Sequence, residues 1–476
     1  MLDFQDLGKY KENNRIEAKK AVGGLPHSIW ETYSAFANTV GGVILLGVVE
    51  QPDKSFQTVA LPSPEALLGE FLQKLRDPAV VSANILSPED VYVTQAQGNP
   101  IVVIQVPRAP RRLRPVYIGS DPLSGSYRRN GEGDYRCSPE EVRAMQRDSA
   151  EVSLDTGMLE ALGPEALRRE STEAFCALAE KNASPQERPP AAEELLEQAG
   201  ALARNGSGRL HPTRAGLLLF GSLREIQAEF PLYSLEYQEK PNPDAHWTWR
   251  LLSGSGAWSG NLFDFLRAVS RRLPQGLPLE EKASAALREA LVNALVHADY
   301  DEPRGLFVVK TPQEILVSNP GGLRLPQEEA VGGGRADPRN ASLHKALRMA
   351  GLAQGEGGGL RRIYRIWSSL GLQAPRLEEQ FAPGRTVLTL PLVPGGGAAH
   401  SPAGDPMEQK QALLDYLRDQ VSAGEAELAV LLGCGLEHVR ALLGELTAQG
   451  LVEAHGTKNR RRYELKQLPD RDPGGR

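Results

Sequence analysis

The segment LREALVNALVHADYDEP, residues 287–303, constrains the fold of this chain more than any other stretch. Within it, Glu289, Asn293 and His297 recur at every fourth position, so that on a helix they form one polar stripe. A second set at the same spacing, offset by two residues, is apolar and consists of Leu287, Leu291 and Leu295. A helix with both patterns is covered on two faces, by an apolar core on one and by something polar on the other. Three functional groups on a covered face indicate a ligand site; the alternative is a satisfied polar network between core elements.

The composition excludes several classes of protein. A chain of 476 residues predicts roughly three domains, and its net charge of −6 argues against a wholly basic nucleic-acid coat while allowing local basic patches. The cysteines are far apart and form no C-x-x-C pair, so neither a disulfide framework nor a zinc knuckle is indicated. No apolar run approaches the ~20 residues of a membrane helix, and the first residues do not resemble a secretory signal. We therefore expect a cytoplasmic protein without a membrane partner.

Residues 1–145 are predicted to form the first domain. RIEAKKAV alternates as a half-buried strand does, SIWETYSAFANTVGG has the apolar spacing of a helix that ends at glycine, and VILLGVV and IVVIQVP are typical of buried strands. The alternation of helix and strand predicts a compact α/β or α+β unit.

Four segments of this domain, ENNRIEAKK, AFANTVGGVILLGVVE, RPVYI and YRRNG, resemble the AlbA-like domain of bacterial Schlafen-related proteins. The resemblance implies nucleic-acid binding, to DNA or RNA. The stretch from Arg108 to Arg136 supports it, because arginines interleaved with tyrosines suit phosphate contacts and base stacking. The alternative is a solvated basic loop. The candidate phosphate contacts are Arg111, Arg112, Arg114, Arg128 and Arg129.

A nuclease is a sharper alternative for the same domain. Eukaryotic Schlafen proteins use an acidic triad, and the positions that resemble it here are Glu12, Glu17 and Glu50. Glu17 and Lys19 also form an E-x-K pair on one strand face, an arrangement by which nucleases hold Mg²⁺ and orient water. The other interpretation is that these are solvated acids and a structural ion pair.

Residues 146–225 are predicted to form a helical or winged bridge. Two helical segments precede the turn NGSG, and two strands follow, the second of them from Thr213 to Phe220. Helix, helix and β-wing in this order resemble a winged helix.

Residues 226–395 contain the segment 287–303 with its polar stripe, which is followed by GLFVVK, EILVSNPGGL and two glycine-rich segments. This order resembles the ATP-binding fold of gyrase-type topoisomerases, histidine kinases and heat-shock chaperones (GHKL). The resemblance implies that Glu289 is the base that activates water, that Asn293 is a ligand of Mg²⁺, and that His297 contacts phosphate. A carboxylate one turn from a neutral amide ligand suits this chemistry.

The glycine segments extend the resemblance to ATP. SNPGGL resembles the adenine-contacting turn, although Asn319 stands where the fold usually has Asp; its carbonyl oxygen still accepts a hydrogen bond. Gly321 and Gly322 would let the backbone approach the ring, and Arg339 is a candidate phosphate contact. GEGGGL resembles the second glycine box, whose amides cradle phosphate ahead of a helix. The candidates there are Gly355, Gly357, Gly358 and Gly359.

The remaining residues comprise a linker (396–406), a small domain (407–468) and a tail (469–476) that we expect to be disordered. Three helical segments and a hairpin resemble a winged helix-turn-helix, with residues 436–449 as recognition helix and Arg440 near its start. Arg460, Arg461 and Arg462 lie in the wing, where phosphate contact is expected.

These patterns predict an α+β multidomain protein: an AlbA/Schlafen-like α/β domain, a helical or winged bridge, a GHKL-like α/β sandwich and a C-terminal winged helix. Its predicted function is that of an ATP- and Mg²⁺-binding, nucleic-acid-binding transcriptional regulator that forms a homodimer or higher homo-oligomer. A nuclease gated by the ATP domain and an assembly protein are the alternatives. No G-x4-G-K-[ST] occurs, which argues against a P-loop motor; slow ATP hydrolysis and binding alone both stay open.

Overall fold

The computed structural model describes residues 15–131, 133–183, 190–242, 244–277, 280–355, 357–381 and 384–394, and parts of the segment between 409 and 466. The chain divides into two compact units, Met1–Glu151 and Val152–Arg476, and both mix helices with strands. No helix in the described ranges has the length and apolar character needed to cross a membrane.

The first unit contains a four-stranded sheet and two small hairpins. Its helices are α1 (Ile29–Asn38), α2 (Pro64–Leu75), α3 (Pro122–Gly125) and α4 (Pro139–Ser149). Its strands are β1 (Ile16–Lys19), β2 (Gly42–Leu46), β3 (Val48–Glu50), β4 (Phe56–Thr58), β5 (Val91–Ala96), β6 (Asn99–Val106), β7 (Tyr127–Asn130) and β8 (Gly133–Arg136). The sheet order is β1-β2-β6-β5, with β1 parallel to β2 and the other neighbours antiparallel.

Helix α1 forms the centre of the first unit's core. Nine of its ten residues are buried, and its Trp30 ring stacks on Phe71 of α2 with the ring centroids 5.3 Å apart. The polar side chain of Asn38 is also buried and bonds the backbone of Val116 in both directions. Such satisfied polar groups hold the chain around residue 116 against the helix.

The second unit is built around a six-stranded sheet in the order β12-β11-β13-β14-β16-β15. Its strands include β9 (Leu202–Arg204), β10 (Leu210–Pro212), β11 (Leu235–Glu239), β12 (Trp249–Leu252), β13 (Leu306–Lys310), β14 (Glu314–Pro320), β15 (Arg376–Phe381) and β16 (Gly384–Pro391). Strands β11 and β13 are parallel, and the other neighbours in this sheet are antiparallel. Its helices include α5 (Arg169–Asn182), α6 (Ala192–Gln198), α7 (Arg214–Phe220), α8 (Leu223–Glu229), α9 (Leu262–Arg272), α10 (Glu280–His297), α11 (Gln327–Gly332), α12 (Ala341–Met349) and α13 (Gly359–Ser369).

The strand predicted from Thr213 to Phe220 is wrong. Both strands were expected after the turn NGSG, whereas β9 precedes the turn and β10 follows it as its antiparallel partner. The residues from Arg214 to Phe220 form helix α7, in which six of seven are buried. Thr213 caps it by accepting a hydrogen bond from the Gly216 amide. A helix that is apolar on every side cannot be told from a buried strand by periodicity.

One hydrophobic core serves both the bridge region and the sheet region of this unit. Phe175, Phe220 and Phe263 meet in it, with ring centroids 5.1 to 6.1 Å apart. Helix α10 contacts α9, α12, α13 and β14, and its apolar residues are buried in the same core. This packing fixes the helix that carries the polar stripe.

The C-terminal segment has a small core of its own. Its described elements include helix α14 (Leu436–Ala448) and strands β17 (Ala423–Gly424), β18 (Val452–His455) and β19 (Arg462–Leu465). The sheet order is β17-β19-β18, and both pairings are antiparallel.

Candidate functional site: a cleft over helix α10

The polar stripe of α10 faces a cleft. Glu289, Asn293 and His297 all line a cavity of about 1000 Å³, part of it open to solvent. The stripe is therefore not closed off by packing, and its three side chains are placed to meet a ligand.

The glycine segments converge on the same cleft. Asn319 and Gly322 line it from the end of β14, and Gly355, Gly357 and Gly359 line it from the segment that leads into α13. Apolar side chains such as Leu377 and Leu388 complete the walls. Three sequence segments separated by up to about 75 residues thus form one concave surface, in which polar side chains and glycine backbone lie beside apolar walls.

The backbone of Gly359 lies against the stripe. It is the first residue of α13, and a Cβ atom there would clash with Glu289 Oε1 and lie 2.9 Å from Asn293 Nδ2. A helix N-terminus offers unpaired amide donors and a partial positive charge. The start of α13 therefore places an anion-attracting group directly beside the carboxylate and the amide.

Glu289 is a buried acid, with only 8% of its surface exposed. Burial raises the pKa of its carboxyl group, while the charges of Arg362 and Arg288 oppose the rise. A carboxylate whose pKa is raised by desolvation is a stronger base than one in water, which suits proton acceptance from a nucleophile.

We expect Glu289→Gln to stabilise the protein at alkaline pH. Because the folded-state pKa is raised, the ionised carboxylate costs stability at pH values above that pKa, and the cost vanishes below the unfolded pKa of about 4.3. Thermal unfolding at pH 8 and at pH 4 measures this. The midpoint of the variant should exceed that of the parent at pH 8 and approach it at pH 4. A variant that is less stable at pH 8 would contradict the desolvation of Glu289.

His297 is held neutral. Burial, with the nearby Arg339 and Arg324, lowers the pKa of its imidazole to about 4. Of the residues that the structure describes, none forms a hydrogen bond with the His297 ring, which lines the cleft. At neutral pH this ring can donate one hydrogen bond and accept another from a ligand.

Hydrogen bonds from Arg339 and Thr386 hold the SNPGGL turn in place. The Arg339 guanidinium donates to the carbonyls of His297 and Gly322, the latter at 3.1 Å. Gly321 has φ +91°, and a Cβ there would lie 2.7 Å from Arg339 Nη1. Thr386 Oγ1 donates to the Gly321 carbonyl at 2.9 Å. Arg339 thus lies outside the cleft lining and joins the turn to the end of α10.

Two glycine loops meet at the mouth of the cleft. The Gly334 amide donates to the Gly357 carbonyl at 2.6 Å, and a Cβ on Gly333 would lie 2.6 Å from the same oxygen. A Cβ atom added to Gly357, whose φ is +75°, would lie 2.6 Å from the Arg335 amide nitrogen. These contacts tie the loop before α12 to the loop before α13.

The sequence pattern missed several polar residues of the cleft. Those that line it are Arg324, Arg335, Asp337, His344 and Thr386. Thr386 lies directly opposite Asn319 on the neighbouring strand β16. The others lie in loops or on a short helix, where one-dimensional periodicity carries no information about which side chains meet.

Some of the predicted arginines of the first unit keep solvent-exposed surface, and others are buried. Arg111 donates to two backbone carbonyls at the end of α4. Arg112 is 62% exposed and pairs with Glu151 at 2.8 Å. Arg128 is half-buried and pairs with Glu141 at 2.8 Å. Each keeps surface that an anionic ligand could reach.

Arg129 and Arg114 lie inside the unit. The Arg129 side chain is 1% exposed and contacts Glu17 and Asp134, each at 2.9 Å, and it lies over the Phe36 ring. Arg114 is 8% exposed. Alternation along β7 explains the difference between neighbours, because Arg128 and Arg129 face opposite sides of the strand. The Arg129 guanidinium is an internal ion-pair centre and is not offered to a phosphate at the surface.

The predicted acidic triad is engaged in ion pairs where it is described. Glu17 contacts Lys19 as well as Arg129, and Glu50 lies 3.5 Å from Lys54. Glu12 lies outside the described residues. Within the described ranges, no cluster of three or more His, Cys, Asp or Glu side chains has the geometry to hold a metal ion.

Of the predicted arginines of the C-terminal segment, Arg440 lies on α14 and Arg462 lies on β19. Arg440 is 57% exposed and pairs with Glu425 at 2.6 Å. Arg462 is on β19 and pairs with a carboxylate of α11 at 3.3 Å. Arg461 is exposed just before β19, and Arg460 is outside the described residues.

Family models match three parts of the chain. Residues 12–138 match "Schlafen, AlbA_2", residues 311–388 match "Putative ATP-dependent DNA helicase recG C-terminal", and residues 143–236 match "Domain of unknown function (DUF8451)". A search of the curated proteins finds no match.

Two solved structures are similar to the chain. The DIP2311 protein from Corynebacterium diphtheriae is 18% identical over 98% of this chain and 97% of that one, with a TM-score of 0.42. The N-terminal domain of a putative ATP-dependent DNA helicase RecG-related protein from Nitrosomonas europaea is 31% identical over 29% of this chain and 96% of that one, with a TM-score of 0.23. The chain thus carries a Schlafen AlbA_2 domain at residues 12–138 and, at residues 311–388, a domain of the family described as recG C-terminal.

Proposed function

We propose that the cleft over α10 binds ATP with Mg²⁺. The observation that carries this proposal is that Glu289, Asn293, Asn319 and the glycine loops line one cavity of about 1000 Å³. The match of residues 311–388 to a family described as part of an ATP-dependent enzyme supports it.

The residues fit the proposed ligand. The Asn293 amide oxygen is a hard, neutral donor suited to Mg²⁺ that keeps most of its shell for water and phosphate. The amides at the start of α13, around Gly359, would cradle phosphate. Glu289 would accept a proton from water if ATP is hydrolysed, helped by its raised pKa. Asn319 would accept a hydrogen bond from the base. We propose that this site is of the GHKL type.

We propose that the first unit and the C-terminal segment bind nucleic acid. The Schlafen AlbA_2 match supports the first. Its β7–β8 hairpin presents Tyr135, 53% exposed, next to exposed Arg136, and Arg128 lies 5.9 Å from the Tyr135 ring centroid. An exposed aromatic ring beside arginines suits base stacking with phosphate contact. Helix α14 followed by a hairpin supports a winged helix, with Arg440 on its exposed face.

The function that these features support best is that of a nucleotide-switched, DNA-binding transcriptional regulator. Nucleotide shifts nucleic-acid affinity only if it binds one conformation of the protein better than another. Fluorescence anisotropy with labelled duplex DNA, single-stranded DNA and RNA, with and without Mg²⁺ and a non-hydrolysable ATP analogue, tests this proposal.

We expect DNA affinity to fall steeply with salt, and to change on addition of nucleotide by about fivefold or more. Asn293→Ala is the matched control, since it should bind DNA as the parent does and lose the nucleotide response. Unchanged affinity of the parent under saturating nucleotide would contradict the switch, and absence of salt-dependent binding would contradict the nucleic-acid role.

The nuclease alternative has its own test. Because Glu17 neutralises the buried Arg129, we expect Glu17→Ala to lower the unfolding free energy of the first unit by about 1–3 kcal/mol, without changing any cleavage of structured RNA or single-stranded DNA in Mg²⁺ or Mn²⁺. Urea denaturation and a gel assay measure the two effects. Cleavage by the parent that Glu17→Ala removes, with the unit still folded, would instead support a nuclease.

A further inference from the structure

The segment that follows the first unit in sequence is bound to the start of α12. Ser153 Oγ lies 2.9 Å from the Arg339 carbonyl and 2.6 Å from Asp155 Oδ1, and it accepts a hydrogen bond from the Ala341 amide at 3.0 Å. Asp155 is 2% exposed, and its Oδ2 accepts from the Leu343 amide at 2.9 Å. Two side chains from residues 153–155 thus satisfy amides at the N-terminus of a helix 188 positions further along.

The start of α12 is in turn bound to the cleft. The Arg339 guanidinium donates to the carbonyls of His297 and Gly322, two residues that line the cleft. The Asn340 amide donates to the Val296 carbonyl at 2.9 Å, another lining residue. Arg339 therefore connects three segments. Its backbone carbonyl contacts the Ser153 hydroxyl, and its guanidinium donates hydrogen bonds to the SNPGGL turn and to the end of α10.

The capping arrangement shows why Ser153 and Asp155 are needed. Asn340 is the N-cap residue of α12, yet its side chain makes no cap hydrogen bond. The side-chain Nδ2 group of Asn340 instead donates to the Val296 and Ala298 carbonyls at the end of α10. Since Asn340 is engaged by α10, the free amides of α12 are satisfied by Ser153 and Asp155. A buried carboxylate at a helix N-terminus is also favoured by the helix dipole.

We propose that Ser153 and Asp155 are positioning residues of the nucleotide cleft, and that they couple its occupancy to the first residues of the second unit. This inference rests on the proposed ATP site. Ligand contacts that shift the SNPGGL turn or the end of α10 displace Arg339, and the bonds from Arg339 and the start of α12 to Ser153 and Asp155 carry that displacement into residues 153–155. The coupling is reciprocal: a change at residues 153–155 alters nucleotide affinity by the same factor.

Hydrogen–deuterium exchange of the full chain tests the coupling, with nucleotide binding measured by calorimetry on the same samples. We expect Mg²⁺ and a non-hydrolysable ATP analogue to slow exchange of the amides of residues 152–157 in the parent, and to leave it unchanged in Asn293→Ala. Binding by calorimetry with no change at these residues overturns the inference and leaves the ATP site standing. No binding by the parent overturns the proposed function and this inference together.

The nucleotide affinity and exchange response of substituted variants provide a second test, because a purely structural role of these residues would not change them selectively. Ser153→Ala should weaken nucleotide binding by about fivefold and abolish the exchange response. Thr156→Ala is the matched control, because the partner of the Thr156 hydroxyl among the described residues is the Ser153 carbonyl within the same segment. Asp155→Asn retains an acceptor for the Leu343 amide and should keep the response that Asp155→Ala loses. Equal affinities of Ser153→Ala and Thr156→Ala overturn the positioning role.

Discussion

Gly359→Ala is expected to weaken Mg²⁺–ATP binding by about tenfold or more, which corresponds to about 1.4 kcal/mol. The added methyl group would occupy the space of Glu289 Oε1 and lie 2.9 Å and 3.1 Å from the Asn293 amide atoms. Both side chains can move away, because they are the ends of flexible chains, so the fold survives. Their displacement removes the metal ligand and the base from the start of α13 at the same time. Calorimetric titration of parent and variant measures the loss.

Gly358→Ala is the matched control for this substitution. Gly358 is the preceding residue, and a Cβ on it would meet no atom within 4 Å. Its φ of −118° is accessible to alanine. We expect nucleotide affinity close to that of the parent. Equal losses in both variants would mean that any change near the α13 N-terminus disturbs the loop, and would contradict a specific contact at Gly359.

The largest effect on stability is expected for Trp367→Ala. Trp367 is fully buried, and its indole Nε1–H donates to the Pro391 carbonyl of β16 at 2.7 Å. It therefore fastens α13, which carries Gly359, to the central sheet. Removing so large a buried ring costs about 3–5 kcal/mol, and the unsatisfied Pro391 carbonyl adds to this. The unfolding of the second unit by urea in the full chain, monitored by circular dichroism, measures the change in unfolding free energy.

A tryptophan on the surface of the same unit provides the control. Trp247 is 49% exposed, and its described partner is Arg250, whose guanidinium lies 5.9 Å from the ring centroid. Trp247→Ala should change the unfolding free energy by no more than about 0.5 kcal/mol. A Trp367→Ala variant as stable as Trp247→Ala would contradict the packing of α13 on the sheet.

How far sequence patterns predict the site depends on the kind of residue. The stripe Glu289, Asn293 and His297 could be predicted because helical periodicity alone puts the three side chains on one face. The glycine loops could be placed near it only through the resemblance to a known fold. Arg339 was expected to contact phosphate, whereas its side chain holds two backbone carbonyls. A charge in a loop does not reveal from sequence whether it faces a ligand or the protein.

The basic stretch of the first unit shows the same limit. Arg128 and Arg129 are neighbours with equal charge, and only the pleat of β7 decides that Arg129 enters the interior and meets Glu17 and Asp134. The helix from Arg214 to Phe220 was taken for a strand because a short apolar run fits either structure when all its faces are covered. Long-range partners, which no local pattern contains, settle such choices.

Calorimetric titration of the full chain tests whether α10 and the glycine loops bind ATP through Asn293. Mg²⁺–ATP should bind the parent saturably at one site per chain, and Asn293→Ala or removal of Mg²⁺ by EDTA should lower the affinity by about tenfold or more. Heats of dilution alone for the parent, or equal affinity of the parent and Asn293→Ala in the presence of Mg²⁺, would contradict the account.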